Sequence, residues 1–452
     1  MLKIPITQNS QREVGEIGYL PVSKKMKKAT LLRKKYPEFV YENYSYKFKN
    51  GNFLISFYFS IKPDLKFKTD IVLKNIPQKK IETIDEPTLE NLVFHLGLIE
   101  MLNYWKLTCS PKIFIESGNL STEGKRFLRK IILKGMGQYF YENKIDFTRR
   151  GFLKIETNPQ KRIYRASKIE ADSRKILIPI GGGKDSIVVL ESEKSKAKKL
   201  GIFLFNPKTP QRKVAKISKI KEIIVAQRKI DPRLFELNSK GYLNGHVPFS
   251  AFLSFLTLLA AYIFQYPKVA FAWEKSANEP NLKYKKRWIN HQWSKSSEFE
   301  KIFNEYRKRF LVQNISIYSP IRNLSDLEIA KIFSQFTQYH NAFLSCNNAY
   351  KISAKRPKWC LKCPKCLFVF SVLYPFLEEK NLIKIFGKNL FEDRSLLPFM
   401  LKLISKKEKK PFECVGTKKE TILAFSLALK QAKKRNKIPF LLKKFEELHI
   451  KK

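Results

Sequence analysis

The stretch that decides the fold of this 452-residue chain is Lys175-Ile-Leu-Ile-Pro-Ile-Gly-Gly-Gly-Lys-Asp-Ser186. Its first half is a short, almost continuously apolar run, which is typical of a strand in a parallel sheet covered on both faces. A glycine-rich turn and the start of a helix follow. Leu200-Gly-Ile-Phe-Leu-Phe205 then forms a second apolar run. This alternation of buried strands and helices predicts an α/β fold with a doubly wound parallel sheet.

The glycine-rich turn has the composition of a phosphate-binding loop. The three glycines at positions 181–183 allow the backbone to approach an anion closely and to point N–H groups at it. The helix that follows adds the positive end of its dipole. Lys184 can offset phosphate charge, the Ser186 hydroxyl can donate to a phosphate, and Asp185 can hold a magnesium ion. The spacing is neither that of a Walker loop nor that of the dinucleotide G-x-G-x-x-G motif.

The region before residue 170 predicts strands followed by helices. The β-rich runs YSYKFK and FLISFYFSI flank Lys49-Asn-Gly-Asn52, and Asn-Gly is a strong hairpin signal. Residues 66–73 form a third such run. Asp85 is placed to cap a helix with Pro87 in its first turn, and apolar residues then recur at three- and four-residue steps. His95 lies in this helix, where we expect a packed or hydrogen-bonded core histidine.

Four cysteines have the spacing of a metal site. Cys346 is followed after thirteen residues by Cys360-x-x-Cys363-x-x-Cys366. Close spacing on a knuckle, with one further ligand from a neighbouring loop, is how four thiolates surround a tetrahedral zinc ion. An iron–sulfur cluster also uses four thiolates and remains an alternative. Simple burial as small apolar side chains suits the isolated Cys109 better than this group.

Composition and charge exclude several classes of protein. Apolar residues make up 44% and aromatic residues 13% of the chain, which excludes wholesale disorder. Six cysteines are too few for a disulfide scaffold and fit a reducing cytoplasm. The net charge of +48 suggests a polyanionic partner. However, 69 Lys against 19 Arg, scattered along the chain, resemble the residue bias of an AT-rich genome. We therefore do not expect nucleic acid to be the main partner, and favour an acidic small substrate or a solvated surface.

Two segments of the sequence are relevant to secretion and to membrane insertion. Residues 1–18 contain no long apolar stretch of the kind found in signal peptides, which argues against secretion. Residues 247–266 carry no charge over a length that could span a bilayer. They include Pro248 and several hydroxyl and amide side chains, and a strand-like run follows directly. We therefore expect a helix buried against the parallel sheet in a cytoplasmic protein without membrane insertion.

The glycine loop resembles the pyrophosphatase loop, Ser-Gly-Gly-x-Asp-Ser, of the adenylating PP-loop ATPases. Gly182, Gly183, Asp185 and Ser186 match this pattern, and Gly181 replaces the leading Ser. The resemblance implies that ATP is split between its α- and β-phosphates, which gives an AMP ester and pyrophosphate. A plain strand-to-helix turn would need only one glycine. The cysteine group resembles the zinc knuckle of 7-cyano-7-deazaguanine synthases, which are also PP-loop enzymes.

Further segments, spread over nearly the whole chain, carry a more specific resemblance: Phe94-His-Leu-Gly-Leu-Ile-Glu-Met-Leu-Asn-Tyr-Trp105, Gly245-His-Val-Pro-Phe-Ser250, Trp273-Glu-Lys-Ser-Ala-Asn-Glu279, Asn290-His-Gln-Trp-Ser-Lys295, Cys363-Pro-Lys-Cys-Leu-Phe368 and Phe412-Glu-Cys-Val-Gly-Thr417. They look like the bacterial UDP-N-acetylmuramoyl-L-alanyl-L-glutamate epimerases. The resemblance implies an ATP-dependent isomerase of peptidoglycan synthesis that inverts the terminal L-glutamate of this UDP-linked precursor to D-glutamate, releasing AMP and pyrophosphate.

The resemblance and the pattern together give a domain organisation. We place an α+β N-terminal domain at residues 1–170, and a PP-loop ATPase domain that includes the cysteine knuckle at residues 171–400. A C-terminal helical segment at residues 401–452 is expected to pack on the ATPase domain. In such an ATPase the backbone of the strand at residues 201–205 would read the adenine edge.

The implied chemistry depends on the acidity of the glutamyl Cα–H. A carboxylate leaves its neighbouring Cα–H very weakly acidic, because a carbanion there would lie beside a negative charge. Adenylation of the carboxylate removes that charge, so that a modest base can take the proton, and reprotonation from the opposite face inverts the centre. Hydrolysis of the carboxyl-adenylate then completes the reaction, so that ATP drives the epimerisation.

Several residues are candidates for the base. His246 and His291 can titrate near neutrality, and Glu274, Glu279 or Cys414 could serve instead. Each has a plainer explanation as well: His246 could cap the helix entered at the following proline, Glu274 could bind magnesium, and Cys414 could be a packed thiol. The sequence does not choose among them.

Two other functions compete with the epimerase interpretation. A PP-loop enzyme that modifies tRNA or a nucleobase would fit the charge and the cysteine knuckle, although sulfur insertion needs a nucleophilic cysteine, and only Cys109 and Cys414 lie outside the group. A nucleic-acid-binding module with a vestigial ATP loop is the second, and the intact Asp185-Ser186 pair argues against it.

Overall fold

The computed structural model describes residues 22–169, 173–351, 354 and 357–449. The N-terminal stretch on which the argument about secretion depends lies outside these residues. The strands of the described residues are β1 (Glu38–Lys49), β2 (Asn52–Lys62), β3 (Leu65–Leu73), β4 (Lys112–Ile115), β5 (Lys154–Thr157), β6 (Lys175–Pro179), β7 (Lys199–Phe205), β8 (Glu222–Lys229), β9 (Lys268–Ala270), β10 (Leu282–Tyr284), β11 (Arg287–Ile289) and β12 (Ser316–Tyr318).

Ten of the strands within the described residues form one continuous sheet, in the order β12-β9-β6-β7-β8-β3-β2-β1-β4-β5. The five strands from β12 to β8 pair in parallel. The strands from β8 to β1 pair antiparallel, and β4 and β5 continue in parallel beyond β1. The sequence predicted an α/β fold with a doubly wound parallel sheet; the structure confirms the α/β class and has one large sheet that is mostly parallel. The antiparallel β3–β8 pair joins the N-terminal strands to the parallel half, so the sheet runs without interruption through both parts of the molecule.

Helices lie on both sides of the sheet. Those of the described residues are α1 (Val22–Lys35), α2 (Gln78–Ile81), α3 (Glu86–Glu100), α4 (Leu102–Trp105), α5 (Thr122–Gly135), α6 (Gly137–Glu142), α7 (Lys184–Lys194), α8 (Thr209–Ser218), α9 (Arg233–Ser239), α10 (Phe249–Phe264), α11 (Ser297–Phe310), α12 (Asp326–Ser334), α13 (Pro364–Leu373), α14 (Glu379–Phe386), α15 (Leu397–Ile404), α16 (Lys418–Lys434) and α17 (Phe440–His449). Short 3-10 helices lie at Lys275–Asn278, Trp293–Lys295, Thr337–Tyr339, Asn347–Tyr350, Leu390–Glu392 and Arg394–Leu396.

The parallel half is covered on both faces, as the apolar strands predicted. Side chains alternate along a strand between the two faces of a sheet. Leu177 and Phe203 belong to the core that includes α3 and α10, whereas Ile178 and Leu204 belong to the core that includes α7, α12 and α13. Each strand of this half therefore contributes to two cores, which explains its almost continuous apolar sequence.

The N-terminal hairpin and helix follow their local signals. Asn50 and Gly51 connect β1 to β2 with φ values of 50° and 67°, and only residues that tolerate positive φ fit such a turn. Asp85 accepts a hydrogen bond from the backbone N–H of Thr88 and caps α3. Within α3, Gly97 lies so close to the sheet that an added Cβ would stand 2.0 Å from the Tyr41 hydroxyl. The hairpin and the capped helix are confirmed predictions.

The long uncharged segment forms α10, which runs from Phe249 to Phe264. Most of its residues are buried, and it packs against α3. No helix within the described residues is both long enough and apolar enough to cross a membrane. The expectation of a helix buried in the protein is thus confirmed.

Candidate active site

The glycine loop connects the end of β6 to the start of α7. Gly183 is the N-cap residue of α7, and Lys184 is its first helical residue. Gly182 has φ +83°, a conformation that disfavours other residues, whereas a Cβ added at Gly181 would meet nothing within 4 Å. The Ser186 hydroxyl donates to the Gly183 carbonyl at 3.0 Å. The loop is therefore open to solvent on the side of Gly181 and is followed by a helix N-terminus, which is the arrangement that an anion requires.

Lys184 has a different environment from the one expected for a phosphate ligand. Its side chain is buried, and its Nζ lies 2.5 Å from Asp185 Oδ1 and 2.8 Å from Asp326 Oδ1. Burial opposes its charge, but the two carboxylates outweigh burial and raise the pKa of Lys184. Burial would raise the pKa of Asp326, and Lys184 and Lys365 hold it below its usual range. The ammonium group thus ties α7 to α12 within the protein.

A second wall of the loop comes from the segment just before Cys346. The backbone N–H of Leu344 donates to the Gly182 carbonyl at 2.8 Å. A Cβ at Gly183 would stand 2.6 Å from Ser345 Oγ, and one at Gly182 would stand 2.7 Å from the Tyr350 hydroxyl. This close contact is the reason that positions 182 and 183 are glycines.

The four predicted metal ligands lie together. The sulfur atoms of Cys346, Cys360, Cys363 and Cys366 are all within 4.8 Å of one another, and those of Cys360 and Cys366 are 3.7 Å apart. Tetrahedral coordination with Zn–S bonds of about 2.3 Å requires sulfur atoms roughly 3.8 Å apart. The donor set therefore fits a zinc ion. Because Leu344 contacts the glycine loop, this cluster lies just behind one wall of the loop.

His246 and His291 come together although 45 positions separate them in the sequence. Their ring centroids are 4.5 Å apart. Burial, reinforced by Lys106, lowers the pKa of His246 to about 4. Burial, followed by the nearby His246 and Lys295, lowers the pKa of His291 well below its usual value. Both imidazoles are therefore neutral near pH 7.

A hydrogen-bonded chain fixes the tautomer of His291. Gln138 Nε2 donates to Glu142 Oε1 at 2.8 Å, so the amide oxygen of Gln138 faces His291. This Oε1 lies 2.6 Å from His291 Nδ1. Because an amide oxygen only accepts, Nδ1 carries the proton, and Nε2 keeps the lone pair of a base. Sequence reasoning missed Gln138, since nothing about a glutamine on a short helix marks it.

Cys414 and Glu274 lie around Lys295. The Nζ atom of Lys295 is 3.6 Å from Cys414 Sγ. Burial opposes the charge of Lys295, but Cys414, Glu274 and Asp185 together raise its pKa. Lys295 therefore links the glycine loop to two of the candidate bases. The buried Oε2 of Glu274 has no hydrogen-bond partner among the described residues, and neither does His246 Nε2. Buried polar atoms without partners indicate a place for a ligand or ordered water.

Further lysines surround the same space. Lys365 donates to the Cys414 carbonyl, and Lys410 Nζ lies 3.4 Å from Glu279 Oε2. Lys295, Lys365 and Lys410 all lower the pKa of His291. Lys295 and Lys365 lie in segments that carry the epimerase resemblance, but the sequence alone gave no role to either lysine. Glu279 is thus paired with a lysine, which makes it a weaker candidate for a free base than His291.

The remaining sequence-based assignments are structural. His95 is buried, with Nδ1 2.9 Å from the Asn91 carbonyl and Nε2 2.8 Å from the Tyr306 hydroxyl. Ser325 and Glu328 form a capping box at the start of α12. The prediction that His95 is a packed, hydrogen-bonded core histidine is confirmed.

Two family models match the chain in sequence order. The MurL N-terminal domain matches residues 30–320, and the MurL C-terminal domain matches residues 342–450. The first match alone covers more than half of the chain. The chain belongs to the MurL family. The N-terminal MurL match extends through the glycine loop, and the C-terminal match contains the cysteine cluster.

Three relatives that match most of the chain agree with the MurL assignment. A protein of Salinispora tropica is 31% identical over 394 residues, which are 87% of this chain and 85% of the relative. A protein of Micromonospora sp. is 29% identical over 87% of each chain. A protein of Xanthomonas oryzae pv. oryzae is 32% identical over 75% of this chain and 74% of its own. All three are named UDP-N-acetyl-alpha-D-muramoyl-L-alanyl-L-glutamate epimerase.

Proposed function

We propose that this chain inverts the terminal L-glutamate of UDP-N-acetylmuramoyl-L-alanyl-L-glutamate to D-glutamate, in the synthesis of peptidoglycan precursors. The observation that carries this proposal is the shared name of relatives that match 75% to 87% of the chain. The same observation disfavours the nucleic-acid-modifying and nucleic-acid-binding alternatives. The lysines around the site suit a substrate that carries a diphosphate and carboxylates.

We further propose that ATP drives the reaction through a PP-loop. The backbone of residues 181–183 and the N-terminus of α7 would hold the phosphates, and Asp185 would bind magnesium, which offsets phosphate charge. A glutamate carboxylate oxygen attacks the α-phosphorus of ATP, and the bond to pyrophosphate breaks. The resulting carboxyl-adenylate carries no charge next to the Cα–H, which becomes acidic. Water then cleaves the adenylate into AMP and the epimerised carboxylate.

His291 is the proton-transferring group that the geometry favours. Its Nε2 has a free lone pair because Gln138 holds the proton on Nδ1. A neutral imidazole is a competent base at neutral pH. Cys414, beside Lys295, is the candidate for the group that acts on the opposite face of the carbon. Glu274 and His246 complete the set of candidates.

A structural zinc ion on the cysteine cluster is part of the same proposal. It would fix the segment that carries Leu344 against the glycine loop. None of the six cysteines forms a disulfide, which fits an enzyme of the reducing cytoplasm, where we place this reaction.

The test is incubation of the full chain with ATP, magnesium and the UDP-muramoyl dipeptide in deuterated water. We expect D-glutamate on chiral analysis, AMP and pyrophosphate in equal amounts, and deuterium at the glutamyl Cα only when ATP is present. Asp185→Asn should lower all three by about 10²–10³-fold, since a charge-stabilising contact is lost. Glu328→Gln, which alters a capping acid, is the matched control and should keep activity.

A second variant separates the two steps. His291→Asn should retain formation of AMP while suppressing deuterium incorporation, because adenylation does not need the base. Release of ADP and orthophosphate would contradict the loop assignment. Deuterium incorporation by the Asp185→Asn variant without ATP would contradict the adenylation mechanism.

A further inference from the structure

A cleft of about 880 Å³ lies on the exposed face of the sheet where β1, β2, β3 and β8 adjoin. Residues that pair directly in antiparallel strands share one face of the sheet. Ser45 pairs with Ser56, and Ser56 pairs with Asp70. Asp70 in turn pairs with Lys229. These side chains are exposed or half-buried, so they form a polar row across four strands that faces the cleft.

Two neighbouring rows complete the floor of the cleft. On one side of the polar row lies a row with two apolar side chains between two polar ones. On its other side lies a row in which an aromatic ring pairs with an ammonium group. The first of these rows is Lys47, Leu54, Val72 and Gln227, and the second contains Tyr58 and Lys68. The floor thus offers an aromatic ring, a small apolar patch, hydrogen-bonding groups and lysines within one pocket.

The cleft begins at the edge of the sheet that carries the glycine loop. The parallel strands β6, β7 and β8 end at the same edge. The loop follows β6, Asn206 follows β7, and Lys229 ends β8. Asn206 and Lys229 both line the cleft. Neighbouring strands are about 4.8 Å apart, so the four steps from β7 to β1 span roughly 19 Å. An elongated ligand with one end at the loop would extend along this floor.

The charge of the cleft suits a phosphorylated ligand. Lys68 Nζ lies 3.2 Å from Asp70 Oδ1, and Ser56 donates to the same carboxylate at 2.6 Å. Lys47 and Lys229 form no ion pair with any carboxylate of the described residues. The lining therefore keeps uncompensated positive charge near Lys229, on the side that faces the glycine loop.

We propose that this cleft binds the uridine diphosphate end of the substrate, an inference that rests on the proposed function. The diphosphate lies against Lys229 and Lys68, and the uridine lies over Ser45, Ser56 and Tyr58. The muramoyl dipeptide then extends from Lys229 towards the glycine loop, where its glutamate reacts. The open sheet face acts as the recognition surface, and the site at the strand ends performs the chemistry.

Two other occupants fit less well. The adenosine of ATP is expected at the edge of β7, beside the loop, so it leaves the floor over β1 to β3 free for a second nucleotide. A polynucleotide would need an extended groove, whereas the volume of this cleft lies within the roughly 300–1,000 Å³ that is usual for small-molecule pockets. The substrate proposed for this family carries such a second nucleotide.

The test measures direct binding of UDP, without turnover, by calorimetry on the full chain. We expect the unmodified chain to bind UDP, and Lys229→Ala to weaken binding about tenfold or more, because a hydrogen-bonded charge contact is lost. Tyr58→Leu provides a second variant on another strand and should also weaken binding. Lys66→Ala is the matched control: Lys66 is exposed on β3, two positions from Lys68, and does not line the cleft. In turnover, Lys229→Ala should raise KM for the UDP-muramoyl dipeptide and leave KM for ATP unchanged.

The possible results separate this inference from the proposed function. Unchanged UDP binding in Lys229→Ala and Tyr58→Leu, in a chain that still epimerises its substrate, would overturn the cleft assignment alone. Displacement of UDP by equimolar AMP would also overturn it, because the cleft would then be the adenosine site. Binding of an RNA oligonucleotide in place of UDP would likewise overturn it. UDP binding that is lost in both variants supports the cleft even if the unmodified chain fails to epimerise.

Discussion

At the scale of single residues, the two imidazoles of the site are held neutral by their surroundings. Burial together with Lys106 lowers the pKa of His246 to about 4, from an ordinary value of 6.5. The unfolded chain has no such environment, so its histidine takes up a proton at higher pH than the folded one does. Between these two values the unfolded state binds more protons than the folded state. The free energy of unfolding therefore rises with pH between about 4 and 6.5, and the contribution of His246 is complete above about pH 6.5.

This difference predicts an acid-sensitive fold. As pH falls from 6.5 towards 4, we expect His246 alone to account for a loss of about 2 kcal/mol in the free energy of unfolding. In His246→Asn this share of the loss disappears, so the variant should show a shallower pH dependence. Urea unfolding at a series of pH values measures both slopes. Equal slopes for the two proteins would show that His246 titrates normally in the folded state.

We expect two glycines of the loop to differ in how far they tolerate substitution by alanine. Gly182 has φ +83° and a Cβ there would meet the Tyr350 hydroxyl, whereas the space around Gly181 is open. Gly182→Ala should therefore lower the free energy of unfolding by about 1–2 kcal/mol and abolish formation of AMP. Gly181→Ala should change stability by less than about 0.5 kcal/mol and raise KM for ATP, because the methyl group stands where a phosphate approaches. A large loss of stability in Gly181→Ala would contradict this account of the loop.

At the scale of elements, the cysteine knuckle and the glycine loop are mechanically connected. Cys363 is the N-cap residue of α13, and its sulfur accepts from the backbone N–H of Cys366. The segment that supplies Cys346 also supplies Leu344, whose N–H donates to Gly182. An ion that fixes the cysteines therefore fixes one wall of the loop.

This connection predicts coupled effects of metal removal. Cys363→Ser should lose a bound zinc ion, lower the free energy of unfolding by about 3 kcal/mol or more, and weaken ATP binding. Elemental analysis, denaturant unfolding and ATP titration measure the three effects. Cys109→Ala is the matched control, since Cys109 is buried elsewhere against Arg33, and should keep its metal. A purified chain that is free of metal and equally stable would contradict the zinc assignment.

At the scale of the whole molecule, one continuous sheet joins the predicted N-terminal domain to the predicted ATPase domain. Asp70 to Leu73 of β3 pair with Ala226 to Lys229 of β8. Removing the N-terminal strands would expose the backbone of β8 along this edge. The three-segment division at residues 170 and 400 stays a prediction about sequence units.

We therefore expect the two halves to unfold as one cooperative unit. In hydrogen exchange followed by mass spectrometry, peptides from β2 and β7 should lose protection at the same urea concentration. The matched comparison is α1: among its side chains at residues 26–35 only Ala29 is buried, so this helix should exchange earlier. Separate transitions for β2 and β7 would show that the β3–β8 pair does not couple the halves.

Local sequence signals predicted those features that depend on a few neighbouring residues. Asn50-Gly51 fixed a turn because both residues tolerate positive φ, and Asp85 capped α3 because its carboxylate reaches Thr88. The spacing of Cys360, Cys363 and Cys366 likewise reflects one local knuckle. The pairing of β3 with β8 had no such signal, since strand order depends on contacts between distant segments.

The sequence by itself determined the alternation of buried strands and helices, the glycine loop, the thiolate group and the family to which the chain belongs. These features are encoded in spacing and composition over short stretches, where local geometry dictates the residue type. Only the tertiary structure decided that Lys184 is neutralised by Asp326, and that Gln138 fixes the tautomer of His291. The tertiary structure also decided that the open face of the sheet over β1, β2, β3 and β8 adjoins the edge that carries the glycine loop. The physical reason is that burial and partner choice set the charge and protonation of a side chain, and both arise from residues far apart in the sequence.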